Sequence, residues 1–172
     1  TFTHAYTPHG VCGPSRFAVL SGRCISRCIE RNIPIPESRI HGSTSIGGTT
    51  IEGQKYPWAG HITSQEWNVG KLMKQAGYKT FYAGKVHGHM QSGQRSDELS
   101  QAAKTDPWKQ QELMRRHLQQ AGWDWAEAMS KGNLSSGGKK EHGIPAGVHC
   151  PEWRADATMR FIEKNKDKPF FC

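Results

Sequence analysis

Apolar and polar positions in this chain follow a period of about two in some stretches and of three to four in others, and glycines and prolines mark the changes. Thr1-Phe2-Thr3-His4-Ala5-Tyr6 alternates and predicts a strand already under way. Pro14 has the fixed φ and missing N–H of a first helical residue, and Gly22 is a natural stop. Residues 14–22 are therefore predicted as a helix, running on toward Cys28. Asn32-Ile33-Pro34-Ile35-Pro36 is too rich in proline for a helix, and residues 41–60, rich in Gly, Ser and Thr, predict a long surface loop.

Thr63-Ser64-Gln65-Glu66 has the form of a capping box. The segment after it carries Trp67, Leu72, Met73 and Ala76 and closes at Gly77, which predicts a helix. Tyr78 to Ala83 then reads as a β-strand, so helix, glycine and strand form the αβ half of a doubly wound unit. Residues 88–105 are polar and read as irregular. Asp106-Pro107 is an N-cap and first helical residue for a helix to about Ala121, with Met114, Leu118 and Ala121 as its stripe and Gly122 as its stop. Trp123 and Trp125 read as core or lid aromatics, and Lys131 to Gly147 as an exposed loop. A last amphipathic helix is predicted from Glu152 to about Asn165, with Trp153, Ala157, Phe161 and Ile162 facing inward. Pro169-Phe170-Phe171-Cys172 reads as a strand just beginning. No internal repeat is present, and no apolar run is long enough to span a membrane. With both ends reading as cut, the chain is expected to be a fragment of a larger protein.

Composition adds little to this picture but excludes disorder: 35% of the side chains are hydrophobic and 19 residues are glycine, a globular make-up. The formal net charge of +8 suits an anionic partner, such as nucleic acid or a sulfated glycan. Lys and Arg are scattered rather than blocked, so the excess reads instead as that of a fragment, which need not share the charge of its parent. Cys24 and Cys28 lie one helical turn apart, a poor spacing for a disulfide, and no second pair stands at zinc-ligand spacing. The five cysteines leave the compartment open.

The chemistry concentrates in Cys12-Gly13-Pro14-Ser15-Arg16. Cys12 precedes the helix predicted at Pro14, where backbone N–H groups and the macrodipole favour an anion. Arg16 follows four residues on, close to one helical turn, so its guanidinium faces the same anion. A cysteine phosphatase uses a Cys-x5-Arg loop, whereas here the spacing is Cys-x3-Arg with Ala18 at the sixth position.

Cys12-Gly13-Pro14-Ser15-Arg16, followed by Leu20-Ser21-Gly22-Arg23, resembles the signature of the formylglycine-dependent sulfatases, Cys-x-Pro-Ser-Arg-x-x-x-Leu-[Thr/Ser]-Gly-Arg. Gly77-Tyr78-Lys79-Thr80-Phe81-Tyr82-Ala83-Gly84-Lys85-Val86-His87 is similar to a second block of that family, with Val86 where Trp is usual. Phe161-Ile162-Glu163, continued by Lys168-Pro169-Phe170-Phe171, is similar to a third. The three come in the family's order. The resemblance implies an alkaline-phosphatase-like α/β fold, a doubly wound sheet with helices on both faces, and it makes residues 1–172 a partial sulfatase catalytic domain, cut before Thr1 and after Cys172.

The same resemblance implies a mechanism. A formylglycine-generating maturation enzyme would oxidise Cys12 to formylglycine (3-oxoalanine). One oxygen of the hydrated aldehyde would attack the sulfur of a sulfate ester, and the other hydroxyl would later expel sulfate. Arg16 would stabilise the hydrate, Lys85 would neutralise the sulfate oxygens, and His87 would hydrogen-bond the diol and act as base. His89 is a substitute for His87, since it points the same way along an extended chain. A calcium ion would polarise the sulfate, held by position 12 as formylglycine and by carboxylates outside the fragment. His4, His9, His41, His61, His117, His142 and His149 read as surface or structural residues.

The expected activity is that of a sulfuric ester hydrolase in the full-length parent, with negligible turnover from residues 1–172 alone. Phosphonate or phosphate ester hydrolysis by the same machinery is one alternative, and an inactive fragment that only binds an anionic ligand is another. The expected partners are a sulfate ester, a sulfated glycan being one candidate, and the maturation enzyme, with no nucleic acid and no membrane span. The expected location, by resemblance, is periplasmic, secreted or lysosomal.

Overall fold

The computed structural model describes residues 3–28, 48–51, 54–57, 62–86, 106–130, 144 and 149–172. Along the described chain run helix α1 (Cys12–Ser21), a 3-10 turn (Ile25–Arg27), strands β1 (Gly48–Ile51) and β2 (Gln54–Pro57), helix α2 (Val69–Gln75), strand β3 (Lys79–Lys85), helix α3 (Pro107–Gln120), strand β4 (Trp125–Ser130), helix α4 (Cys150–Asn165) and strand β5 (Phe170–Phe171). β3 is central in a parallel sheet of order β4-β3-β5, and β1 and β2 form a separate antiparallel pair.

Hydrophobic burial explains why the helices divide between the two faces of that sheet. On one face, Phe17 from α1, Met114 and Leu118 from α3, and Tyr82, Ala126 and Met129 from the sheet share a core with Trp123 and Val86. On the other face, Ala157 of α4 packs with Phe81 and Ala128, flanked by Trp153 and Phe161. The connection from β3 to β4 thus carries α3 on one face, and the connection from β4 to β5 carries α4 on the other. That is a doubly wound arrangement, the kind in which ligands lie at the C-terminal ends of the strands.

Polar contacts set the register. The Asp124 carboxylate accepts from the Thr80 N–H at 3.0 Å and from its hydroxyl at 3.2 Å, while the Asp124 N–H donates to Thr80 Oγ1 at 2.9 Å. The starts of β3 and β4 are pinned together by these bonds. A bulge follows between Ala83 and Gly84, where β4 has the extra residue Ala128, with φ +54°. α2 packs so closely on the core that a Cβ on Gly70 would fall 2.6 Å from the Trp123 ring, which only glycine avoids.

Several sequence expectations hold. Gly22 ends α1 in the left-handed region, with φ +68°. Asp106 caps α3 by accepting from the Trp108 N–H, and Met114, Leu118 and Ala121 are buried. The strand after Gly77 extends to Lys85, α4 ends at Asn165, and β5 forms beyond Pro169.

Others are corrected. α1 starts at Cys12, with Pro14 as its third residue, because the N–H that Pro14 lacks is among the four a helix start leaves unpaired in any case. It does not run on toward Cys28, since Gly22 reverses the chain and only a 3-10 turn follows. Residues 3–7 form no strand: they lie beside no ladder, and their side chains bond locally, as Thr7 does to the His9 carbonyl. Residues 41–60 contain β1 and β2, built on the β-branched run Thr49-Thr50-Ile51 that the glycine and serine content obscured. The capping box at Thr63 does not cap a helix. Asn68 does, accepting from the Gly70 and Lys71 N–H groups, because Glu66 is buried in an ion pair with Arg23. β4 was not foreseen, and Trp125, its first residue, is half exposed beneath the Arg115 guanidinium rather than in the core. Readings of residues 32–36 and 88–105 lie outside the described residues. So does the loop of 131–147 apart from Ile144, which is buried.

Two outcomes test this packing. Leu118→Ala should cost about 2–5 kcal/mol of stability in urea unfolding, whereas Leu72→Ala on the exposed side of α2 should change it by less than about 0.5 kcal/mol. Partial burial tends to raise the Asp124 pKa, but Lys74 and the Thr80 donors outweigh it and hold the carboxyl below the usual range. A lowered folded-state pKa contributes stability that is present above the unfolded value, about 3.9, and is lost as pH falls through the folded value. The urea-midpoint gap between the native chain and Asp124→Asn should therefore be full at about pH 6 and narrow toward about pH 3.

Candidate active site

The site forms where the start of α1 meets the end of β3. α1 is only ten residues long and weakly amphipathic, and Val11 at its N-cap offers no side-chain cap. Its position is set instead by Phe17, fully buried, and by the buried Gly13 and Pro14 in its first turn. Just ahead of it the Val11 N–H donates to His9 Nδ1 at 3.0 Å, and Ser15 Oγ lies 2.9 Å from Thr7 Oγ1. Cys12, its first residue, is exposed at the positive end of the helix dipole.

β3 delivers the second component. Lys85 ends that strand, and its Nζ donates to Cys12 Sγ at 3.6 Å. Arg16, one turn along α1 from Cys12, donates from Nη1 to the Lys85 carbonyl at 3.3 Å. The Tyr82 hydroxyl donates to that same carbonyl at 2.6 Å. Val86 continues the chain, fully buried and bonded through its N–H to the Ser130 carbonyl at 2.9 Å. Valine at the position where the resembled motif has Trp therefore still closes the core beneath Lys85.

Of the residues singled out in the sequence, Cys12, Arg16 and Lys85 come together. His87 and His89 lie outside the described residues. Tyr82 was missed, although a buried tyrosine needs a partner for its hydroxyl, and the Lys85 carbonyl three residues on provides it. Arg23, at the end of the first motif, lies away from the nucleophile position. It pairs with Glu66, which is fully buried, and stands 5.7 Å from the Phe17 ring centroid, so it fastens the far end of α1. Thr80 of the second motif likewise serves the strand register. His149 is the N-cap of α4 and forms a capping box with Glu152.

This arrangement provides one exposed sulfur, one ammonium against it and one guanidinium behind the ammonium. A group with several anionic oxygens placed at Cys12 would meet the positive charge of Lys85 and the start of α1. Formylglycine fits position 12, which is exposed and reached by Lys85. A calcium site does not fit the described residues, since no three His, Cys, Asp or Glu side chains among them gather where a cation would be held.

No curated protein matches this chain. The family model described as Sulfatase matches residues 1–172. With that match over its whole length and an α/β fold in which helices cover both faces of a parallel sheet, the chain belongs to the sulfatase family.

Proposed function

We propose that these residues are the nucleophile-bearing part of a sulfuric ester hydrolase that uses a formylglycine derived from Cys12. The observation that carries this reading is the approach of the Lys85 ammonium to Cys12, 3.6 Å, at the start of a helix. Family membership supports sulfatase-type hydrolysis in general. Formylglycine at this position would supply a hydrated aldehyde, one hydroxyl of which would bond to sulfur and displace the ester's alcohol, while loss of the proton of the other would re-form the aldehyde and expel sulfate.

The chain's own residues do the rest of what can be assigned. Lys85 faces the non-bridging oxygens and offsets their charge as a compact cation. Arg16, anchored on the Lys85 carbonyl, holds its planar fork one turn behind position 12. The dipole of α1 adds partial positive charge at that position. His87 is proposed as the base that removes the proton from the second hydroxyl, a task suited to a group titrating near neutrality. A divalent cation belongs to this reading too, but its oxygen ligands are not among the described residues. We therefore propose that residues 1–172 work as part of a larger catalytic domain, with sulfate esters, sulfated glycans among them, as substrates, and that a secretory or lysosomal route brings it to them.

Peptide mass spectrometry across Cys12, after co-expression with a formylglycine-generating enzyme, should find the aldehyde in place of the thiol. An unmodified thiol under those conditions would refute the reading. In the matured full-length parent, Cys12→Ala should abolish sulfate release from an aryl sulfate, and Lys85→Ala should lower kcat/KM by about 100- to 1000-fold. A parallel assay on an aryl phosphonate shows which ester is preferred.

A further inference from the structure

The Lys85 carbonyl is held from two sides. Tyr82 donates its hydroxyl to it at 2.6 Å and Arg16 donates Nη1 at 3.3 Å. The Arg16 guanidinium also stands near enough to the Tyr82 phenol to lower its pKa. Two side chains and one main-chain oxygen, drawn from α1 and β3, therefore meet directly behind the Lys85–Cys12 pair.

The tyrosine is the fixed member of this group. Its side chain is buried, packed edge-on against Trp123 with centroids 5.2 Å apart, in the same core as Phe17, the residue after Arg16. Close-packed rings cannot shift without disturbing their neighbours, so the hydroxyl is a stationary polar point at the core's edge. Lys85 and Arg16 are long and flexible by comparison.

We propose that Tyr82 is a positioning residue of the site, its hydroxyl holding the Lys85 main chain and the Arg16 guanidinium in one arrangement and so setting where both cations stand relative to position 12. This rests on the reading of Cys12, Arg16 and Lys85 given above. The Lys85 ammonium sits at the tip of a four-carbon stem whose root is the held carbonyl's own residue, so displacement of the root moves the tip. Displacements of about 1 Å at a reacting centre cost up to about 100-fold in rate. The state of the phenol agrees. Burial raises its pKa above the usual tyrosine range and outweighs the lowering by Arg16 and by Arg154 on α4, leaving the phenol a protonated donor at neutral pH.

Two measurements test the proposal. In the 172-residue chain, alkaline titration of tyrosine absorbance, with Tyr82→Phe identifying the Tyr82 step, reads these contacts without any turnover. The Tyr82 step should lie above the usual tyrosine range, and higher still in Arg16→Gln, which removes the neighbouring charge. A step that does not move in Arg16→Gln would overturn the contact. In the matured parent, Tyr82→Phe should lower kcat per active site by about 10- to 100-fold, with sites counted by labelling the aldehyde at position 12. A merely structural role would reduce the number of labelled sites and leave the turnover of each intact, and that result would overturn the positioning role. If the native parent hydrolyses no sulfate ester, the proposed function fails, while the titration still decides whether Tyr82 holds Arg16.

Discussion

Helix α1 cannot hold itself in place. Ten residues with no cap at the start and little amphipathic character are too few to persist alone in water. What holds it is the full burial of one side chain, Phe17, in the core built by α3 and the central sheet. Burying such a ring is worth about 1.5–3 kcal/mol. Arg23 on Glu66 secures the far end and Arg16 on the Lys85 carbonyl the near one. The location of Cys12 thus depends on packing beneath the helix and on two contacts that do not involve the cysteine.

The sheet places the other half. β3 is central, paired with β5 at its first two residues and with β4 from Phe81 to Lys85, its last residue. In a doubly wound sheet ligands lie at the C-terminal ends of the parallel strands, and Lys85 stands at such an end. The bulge at Ala128 and the positive φ of Gly84 fall at this end, where the strands must diverge. Residues from two motifs, more than sixty positions apart in the chain, meet there because one core serves both.

The motif residues have divided labours. Cys12, Arg16 and Lys85 face one another, while Thr80 pins two strands and Arg23 fastens a helix end. A short sequence signature thus contains chemistry and scaffolding together, and linear spacing does not separate them. Tyr82 shows the converse, a residue of the second block to which the sequence assigned no role and which the folded chain brings against Arg16 and Lys85.

Local chemistry determined much of this protein from its residues alone. Gly22 and Gly77 could end their helices because glycine accepts positive φ at little cost, and Asp106-Pro107 could begin one because cap and ring geometry are built into those residues. The stripe of α3, the strand read at Tyr78 to Ala83 and the nearness of Arg16 to Cys12 by helical pitch belong to the same class, although the folded strand runs on to Lys85. Competition between distant groups was decided only in three dimensions. Asn68 displaced Thr63 as a cap once Glu66 was committed to Arg23, β4 formed because β3 offered it a ladder, and residues 3–7 formed no strand beside no partner. The physical reason is that caps, turns and periods act within a few residues, whereas ion pairs, ladders and cores require groups that the chain brings together only on folding.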